Sequence, residues 1–251
     1  MRRRLALLLA LSSLACAPPP APAATAELGS APRWLPQAHE LGSRGELRLL
    51  ALPEPRGPEQ TDVRLARSLA VIRDHDAHLP PGPALAAQLL DGSVAWALVD
   101  GTLLLDALDG SSPRTLDRDV IPELAASPDG RTLAYARRPG DEAGVWLVSL
   151  DAPERAPRLA TPGLAIADRP LFASSSLLLV VGAVPSGIAG VWAIDLDREA
   201  SPRPLTNAQL RTGAPLGPTF VPPPASHASM RIDGGELVYD DGEREQRVEV
   251  R

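Results

Sequence analysis

The sequence predicts an all-β fold, and three observations predict it. A phrase of about a dozen residues recurs along the 251-residue chain. Its copies are spaced at about 40 residues, the length of one four-stranded blade. Short apolar runs inside each copy are broken by Asp-Gly turns, which close hairpins because Gly accepts positive φ and Asp bonds nearby backbone. Together they specify a β-propeller of four to five blades, complete or incomplete, closed by pairing of N- and C-terminal strands.

The repeat is visible by counting. Pro83-Ala84-Leu85-Ala86-Ala87 matches Pro122-Glu123-Leu124-Ala125-Ala126 at an offset of 39, and Asp91-Gly92 matches Asp129-Gly130 at 38. Leu108-Asp109 matches Leu150-Asp151 at 42, and Gly190-Val191-Trp192 matches Gly144-Val145-Trp146 at 46. A divergent copy runs from Ile232 to Tyr239. Drifting offsets are what loop insertions do to a repeat that keeps its strands. In one copy Ala173-Ser174-Ser175-Ser176 replaces the Asp-Gly turn.

Ser127-Pro128-Asp129-Gly130-Arg131-Thr132-Leu133-Ala134-Tyr135, the following Gly144-Val145-Trp146-Leu147 strand and the closing Arg158-Leu159-Ala160-Thr161 resemble the propeller repeat of TolB-like periplasmic proteins. The resemblance implies a propeller that docks other proteins, not an enzyme.

In chain order, Arg2-Arg3-Arg4 followed by the apolar Leu5 to Leu11 reads as an export signal, too short to span a bilayer. Ser13-Leu14-Ala15-Cys16 resembles a lipobox, so residues 1–15 are a lipoprotein signal peptide and Cys16 is the lipid-attachment residue. Cys16 is the sole cysteine, which excludes an intrachain disulfide. The competing reading is plain secretion with cleavage near Ala23 or Ala24. Residues 16–40, rich in Pro and Ala, form an extended tether. Residues 41–251 form the propeller domain. Gly45 to Leu52 reads as a strand. Val63 to Ile72 fits both helix and strand spacing, and the all-β context favours a strand. Blades then span residues 83–117, 121–161 and 168–207. The C-terminal part supplies strands near Thr219-Phe220-Val221, Leu237-Val238-Tyr239 and Arg247 to Val250, with Pro222 to His227 an inserted loop. The terminal strands either join into a fourth blade or stay apart in a five-bladed or open form.

Removing residues 1–15 removes three of 25 basic residues and leaves 22 against 31 acidic ones, a formal charge of 22 − 31 = −9. That balance argues against nucleic-acid partners and against electrostatic attraction to anionic lipid. Every basic residue is Arg, so no Schiff-base lysine exists. There is no Gly-x-Ser-x-Gly elbow; Gly42-Ser43-Arg44-Gly45 reads as a turn. His75-Asp76-Ala77-His78, beside Asp74, is the strongest metal-like string, and it reads as a solvated loop between blades because no second ligand cluster accompanies it. Asp195, Asp197 and Glu199 read as an acidic strand end, and Asp240-Asp241-Gly242 as a hairpin turn. Trp146 and Trp192 occupy equivalent repeat positions and are expected to pack between blades.

The expected function is therefore that of a membrane-tethered envelope lipoprotein, facing the periplasm from the outer membrane. Its propeller would serve as a protein-binding scaffold for an envelope partner with a basic surface, with no cofactor, no metal and no catalytic residues. The alternatives are a small-molecule or glycan binder using the propeller channel, or a metal-dependent hydrolase or lactonase drawing His and acidic residues from several blades.

Overall fold

The computed structural model describes residues 39–52, 69–137, 143–186, 189–198, 201–205 and 230–250. Cys16, residues 63–68, Thr219-Phe220-Val221, the Pro222 to His227 insertion and Glu199 lie outside the described residues. The described chain is all-β, and its strands form five small antiparallel sheets arranged as a five-bladed propeller.

The first blade is β1 (His39–Arg44), β2 (Leu47–Ala51), β3 (Leu69–Arg73) and β4 (Asp76–His78). The second is β5 (Ala84–Leu89), β6 (Val94–Leu98), β7 (Leu103–Asp106) and β8 (Arg114–Asp117). The third is β9 (Val120–Ala126), β10 (Thr132–Arg137), β11 (Gly144–Ser149) and β12 (Arg158–Leu159). The fourth is β13 (Ile166–Ser174), β14 (Leu177–Ala183), β15 (Ala189–Asp195) and β16 (Arg203–Pro204). The fifth holds β17 (Met230–Asp233), β18 (Glu236–Asp240) and β19 (Glu245–Glu249). Strands within each blade are hydrogen-bonded in chain order.

Three expectations are corrected here. The N- and C-terminal strands do not share a sheet: β1 and β2 pair with β3, and β17 to β19 form a sheet of their own. The His75 to His78 string is not a loop but the turn and outer strand of a hairpin, with Ala77 opposite Ile72 and His78 opposite Val71. The first strand starts at His39, so it takes in two residues assigned to the tether. The three middle blades begin and end within a few residues of their expected limits.

Large and small residues alternate along the second strands, and this sets how blades stack. In the third blade Leu133 and Tyr135 face the second blade, joining Leu90, Ala95 and Leu103. Ala134 and Ala136 point the other way and receive Phe172, Leu178, Val180 and Trp192 of the fourth. Val94 and Trp96 likewise face the first blade, against Leu47, Leu49, Leu69 and Val71. Leu237 and Tyr239 of the fifth face Leu179, Val191 and Ala193 of the fourth. A bulky side chain on one face set against alanines on the next lets twisted sheets interdigitate without voids. Both tryptophans of the repeat look back at the preceding blade: Trp192 lies within the interface of the third and fourth, and Trp146 packs against that of the second and third.

The best repeat copy shows why its turn is Ser-Pro-Asp-Gly. Buried Ser127 donates its hydroxyl to Asp129 Oδ1 at 2.6 Å and accepts from the Thr132 N–H at 2.9 Å. Asp129 Oδ1 also accepts from the Arg131 N–H. Gly130 has φ +73, and a Cβ there would stand 2.6 Å from Asp91 Oδ2 of the neighbouring blade. Any other residue would meet both a strained backbone and a clash. In the fourth blade, Ser174 accepts from the Ser176 N–H and holds the same turn without Asp or Gly.

Candidate docking face

Because consecutive strands run antiparallel, turns after the first and third strand of every blade lie on one face of the propeller. Turns after the second strand, and the links between blades, lie on the opposite face. The first kind carries the repeat's acidic residues: Glu46, Asp74, Asp91, Asp109, Asp129, Asp151 and Asp197 are all exposed there, with Arg131, Arg155 and Arg198 the cations of the same turns. We term this the Asp-Gly face.

The inner turns of this face touch in series. Arg44, ending β1, donates to Asp91 Oδ1 of the second blade at 2.7 Å and to the Pro128 carbonyl of the third at 3.4 Å. Asp91 lies against Gly130. Three successive blades therefore meet through their turns, which fixes the loops relative to one another. The Gly42 to Gly45 string, expected as a turn, is instead the end of β1 through Arg44, with only Gly45 (φ +57) in the turn.

Two carboxylates of these turns are held more firmly in the charged form than usual. The Ser127 hydroxyl and then the Arg131 N–H hold Asp129 below the ordinary carboxylate range. The Ser111 hydroxyl and N–H do the same for Asp109. Hydrogen bonds donated to a carboxylate stabilise its ionised state. On the opposite face, Asp241 is lowered by the N–H groups of Glu243 and Arg244, in the hairpin turn Asp240-Asp241-Gly242.

A second polar group lies on the inner strands. β5, β9 and β13 pack on one another in succession, which makes them the innermost strands of their blades. Glu123 of β9 is pushed above the ordinary carboxylate range by burial, then by the Asp168 charge, and is drawn back by Arg169. Arg169 sits at φ +46 where the β13 register shifts, with its Nε 3.5 Å from Asp168 Oδ1. An irregularity of this kind re-aims side chains. A carboxyl that keeps its proton more readily than usual, beside a carboxylate and a guanidinium, can bind a polar ligand group.

The other sequence candidates are dispersed. His75 is exposed in the β3–β4 turn and His78 half-buried on an outer strand. Among the described residues, no three His, Cys, Asp or Glu side chains converge as a metal site would require. Asp195 ends β15 and Asp197 follows it in the turn on the Asp-Gly face. Trp96 and Trp192 are buried, with their indole N–H groups donating to Asp106 and to the Gly182 carbonyl. Trp146 is covered by Arg137, whose guanidinium lies 3.7 Å from its ring centroid. Sequence reasoning missed Arg44, Glu123 and Arg169; each acts through a residue of another blade or a bulge that no local pattern marks.

No family model matches the sequence, and no curated protein matches it. Among solved structures, the chain is similar to TolB from Acinetobacter baumannii, with 12% identity, a TM-score of 0.44, and coverage of 74% of this chain and 60% of that one. It is similar to a chain of a nidogen/laminin complex, with 13% identity and a TM-score of 0.48 over 77% of this chain and 67% of that one. It is also similar to oligogalacturonate lyase from Vibrio parahaemolyticus, with 10% identity and a TM-score of 0.47 over 82% and 59%. The chain thus spans less than two thirds of the TolB and lyase chains.

Proposed function

We propose that this protein is a non-enzymatic binding module of the bacterial envelope, anchored through Cys16, whose Asp-Gly face docks a protein with a basic surface. One observation carries the reading: seven exposed turn carboxylates stand on this face, and Arg44 ties its inner turns across three blades. Rigid loops bearing like charge need little ordering on binding, and they steer a basic partner electrostatically. The fold-level likeness to TolB is in keeping with a docking role and adds no weight of its own.

A photo-crosslinking residue placed at Ser111, on the Asp-Gly face, should capture an envelope protein in intact cells. The same residue at Ser186, on the opposite face, should not. Capture at Ser111 should weaken as salt rises, because screening shortens the reach of surface charge. Capture confined to Ser186, or hydrolysis of a lactone or ester by purified protein holding stoichiometric metal at His75 and His78, would overturn the proposal.

A further inference from the structure

The dipeptide Asp-Gly occurs six times in the chain, at Asp91, Asp100, Asp109, Asp129, Asp233 and Asp241. It is prone to one uncatalysed reaction, because the glycine nitrogen, unhindered by a side chain, can attack the aspartyl carboxyl carbon. A C–N bond forms, the carboxyl hydroxyl leaves as water, and a five-membered succinimide results. Water then reopens the ring at either carbonyl. One product is the original aspartate; the other is isoaspartate, whose main chain runs through the former side chain. Identical dipeptides start from similar intrinsic rates, so the fold decides which of them reacts.

Five of the six are guarded. The carboxylates of Asp100, Asp109, Asp129 and Asp241 accept the N–H two residues on, from Thr102, Ser111, Arg131 and Glu243, at 2.9, 2.9, 3.1 and 2.8 Å. All four are held below the ordinary carboxylate range, chiefly by the Thr102 N–H, the Ser111 hydroxyl, the Ser127 hydroxyl and the Glu243 N–H in turn. An ionised carboxylate resists attack by a nucleophile. At Gly101, Gly130 and Gly242 the attacking nitrogen is itself engaged, donating to the Leu98 carbonyl, the Ser127 carbonyl and Asp240 Oδ1. Asp91 is clamped from the first blade by Arg44 at 2.7 Å and lies against Gly130 of the third.

Asp233 has none of these guards. It ends β17 at the two-residue turn Gly234-Gly235, whose φ values of +60 and +85 are those of a tight hairpin. Among the described residues its carboxylate is held only by the Arg247 guanidinium, at 3.3 Å, with both side chains half-exposed. Exposed pairs of this kind hold weakly. The Gly234 N–H has no acceptor among the described residues, and open space stands where a Cβ would be at both glycines. We infer that Asp233-Gly234 is a modification site, at which the folded protein converts aspartate to isoaspartate. The product adds one main-chain carbon to a turn whose length sets the pairing of Ile232 with Leu237. Conversion therefore loosens the β17–β18 hairpin, draws Asp233 away from Arg247, and shifts a carboxylate on the Asp-Gly face, where this turn stands. The reaction is independent of any docking partner.

The test follows purified protein at neutral pH over time, folded and in urea. After digestion, peptides bearing aspartate and isoaspartate are separated by chromatography and told apart by electron-transfer fragmentation. In the folded protein isoaspartate should accumulate at Asp233 several-fold faster than at any of the other five positions. In urea the six rates should draw together, since all six share the same following residue. Asp233→Ser leaves no carboxyl carbon to attack, so that variant should hold its melting temperature on storage while that of the wild type falls. Faster conversion at any other Asp-Gly of the folded protein, or none at Asp233 over a period in which urea converts all six, overturns the proposal.

Discussion

The interface between the second and third blades and that between the third and fourth are built from the same repeat, yet they are held differently. At the first, a polar clasp joins the blades. Asp117 of β8 accepts from the Tyr135 hydroxyl and, at 2.9 and 3.0 Å, from two nitrogens of Arg137, which lies over Trp146. The Arg137 and Asp117 side chains are only 16% and 13% exposed. At the second, Trp192 fills an apolar seam with Phe172, Leu178 and the alanines of β10, and its N–H is satisfied within its own blade. The repeat fixes where the tryptophan stands. Its neighbours fix what it does: with Asp117 of the preceding blade and Arg137 of its own nearby it becomes a platform, and with alanines nearby it becomes core.

Trp192→Ala tests the apolar seam and should have the largest effect, about 3–5 kcal/mol in chemical denaturation, as for large-to-small changes in packed cores. Trp146→Ala should cost clearly less, since that ring is half-buried and borders its cluster. Equal losses would erase the distinction between the two seams.

The clasp is tested next. Asp117→Ala should cost about 3 kcal/mol, because it strands a nearly buried guanidinium and leaves the Tyr135 hydroxyl without its acceptor. Tyr135→Phe removes one hydrogen bond and should cost about 1 kcal/mol. A triple variant, Asp117→Leu with Tyr135→Phe and Arg137→Met, replaces the clasp by apolar bulk and should melt close to wild type. A triple variant as unstable as Asp117→Ala would show that the clasp cannot be replaced by packing.

The smallest effect concerns pH at the inner strands, where the third and fourth blades also meet. The folded state holds the Glu123 carboxyl above its ordinary value of 4.5, so its contribution to stability is fully present below that value and is lost as pH rises through the folded pKa. Glu123→Gln should remove this loss, raising the melting temperature at neutral pH relative to wild type and leaving it little changed at acidic pH. An unchanged melting temperature at neutral pH would show that burial there carries no electrostatic cost.

How much was legible depended on whether a signal was local. The Ser127 to Gly130 turn, the apolar second and third strands and the equivalent tryptophans were legible because turn chemistry and period-two patterning act over a few residues. Asp76–His78, Arg158–Leu159 and Arg203–Pro204 were not read as strands: each is only two or three residues long and is a strand only because its neighbour offers free backbone groups. The candidate face was half legible. Its Asp residues announced turns, but no pattern along the chain says that turns after first and third strands share a side.

By itself the sequence determined the fold class, the blade length and the turns, because these follow from steric limits on φ, hydrogen bonds to near neighbours and alternation across a pleat. It also determined the acidic balance, which is a matter of composition. Tertiary structure alone decided that the terminal strands stay in separate blades, that Asp117 meets Tyr135 and Arg137 across 18 and 20 residues, and that Arg44 reaches Pro128 across 84. Those outcomes depend on how stacked sheets place residues distant in the chain, and stacking follows from the summed shape of two faces rather than from any one stretch of residues.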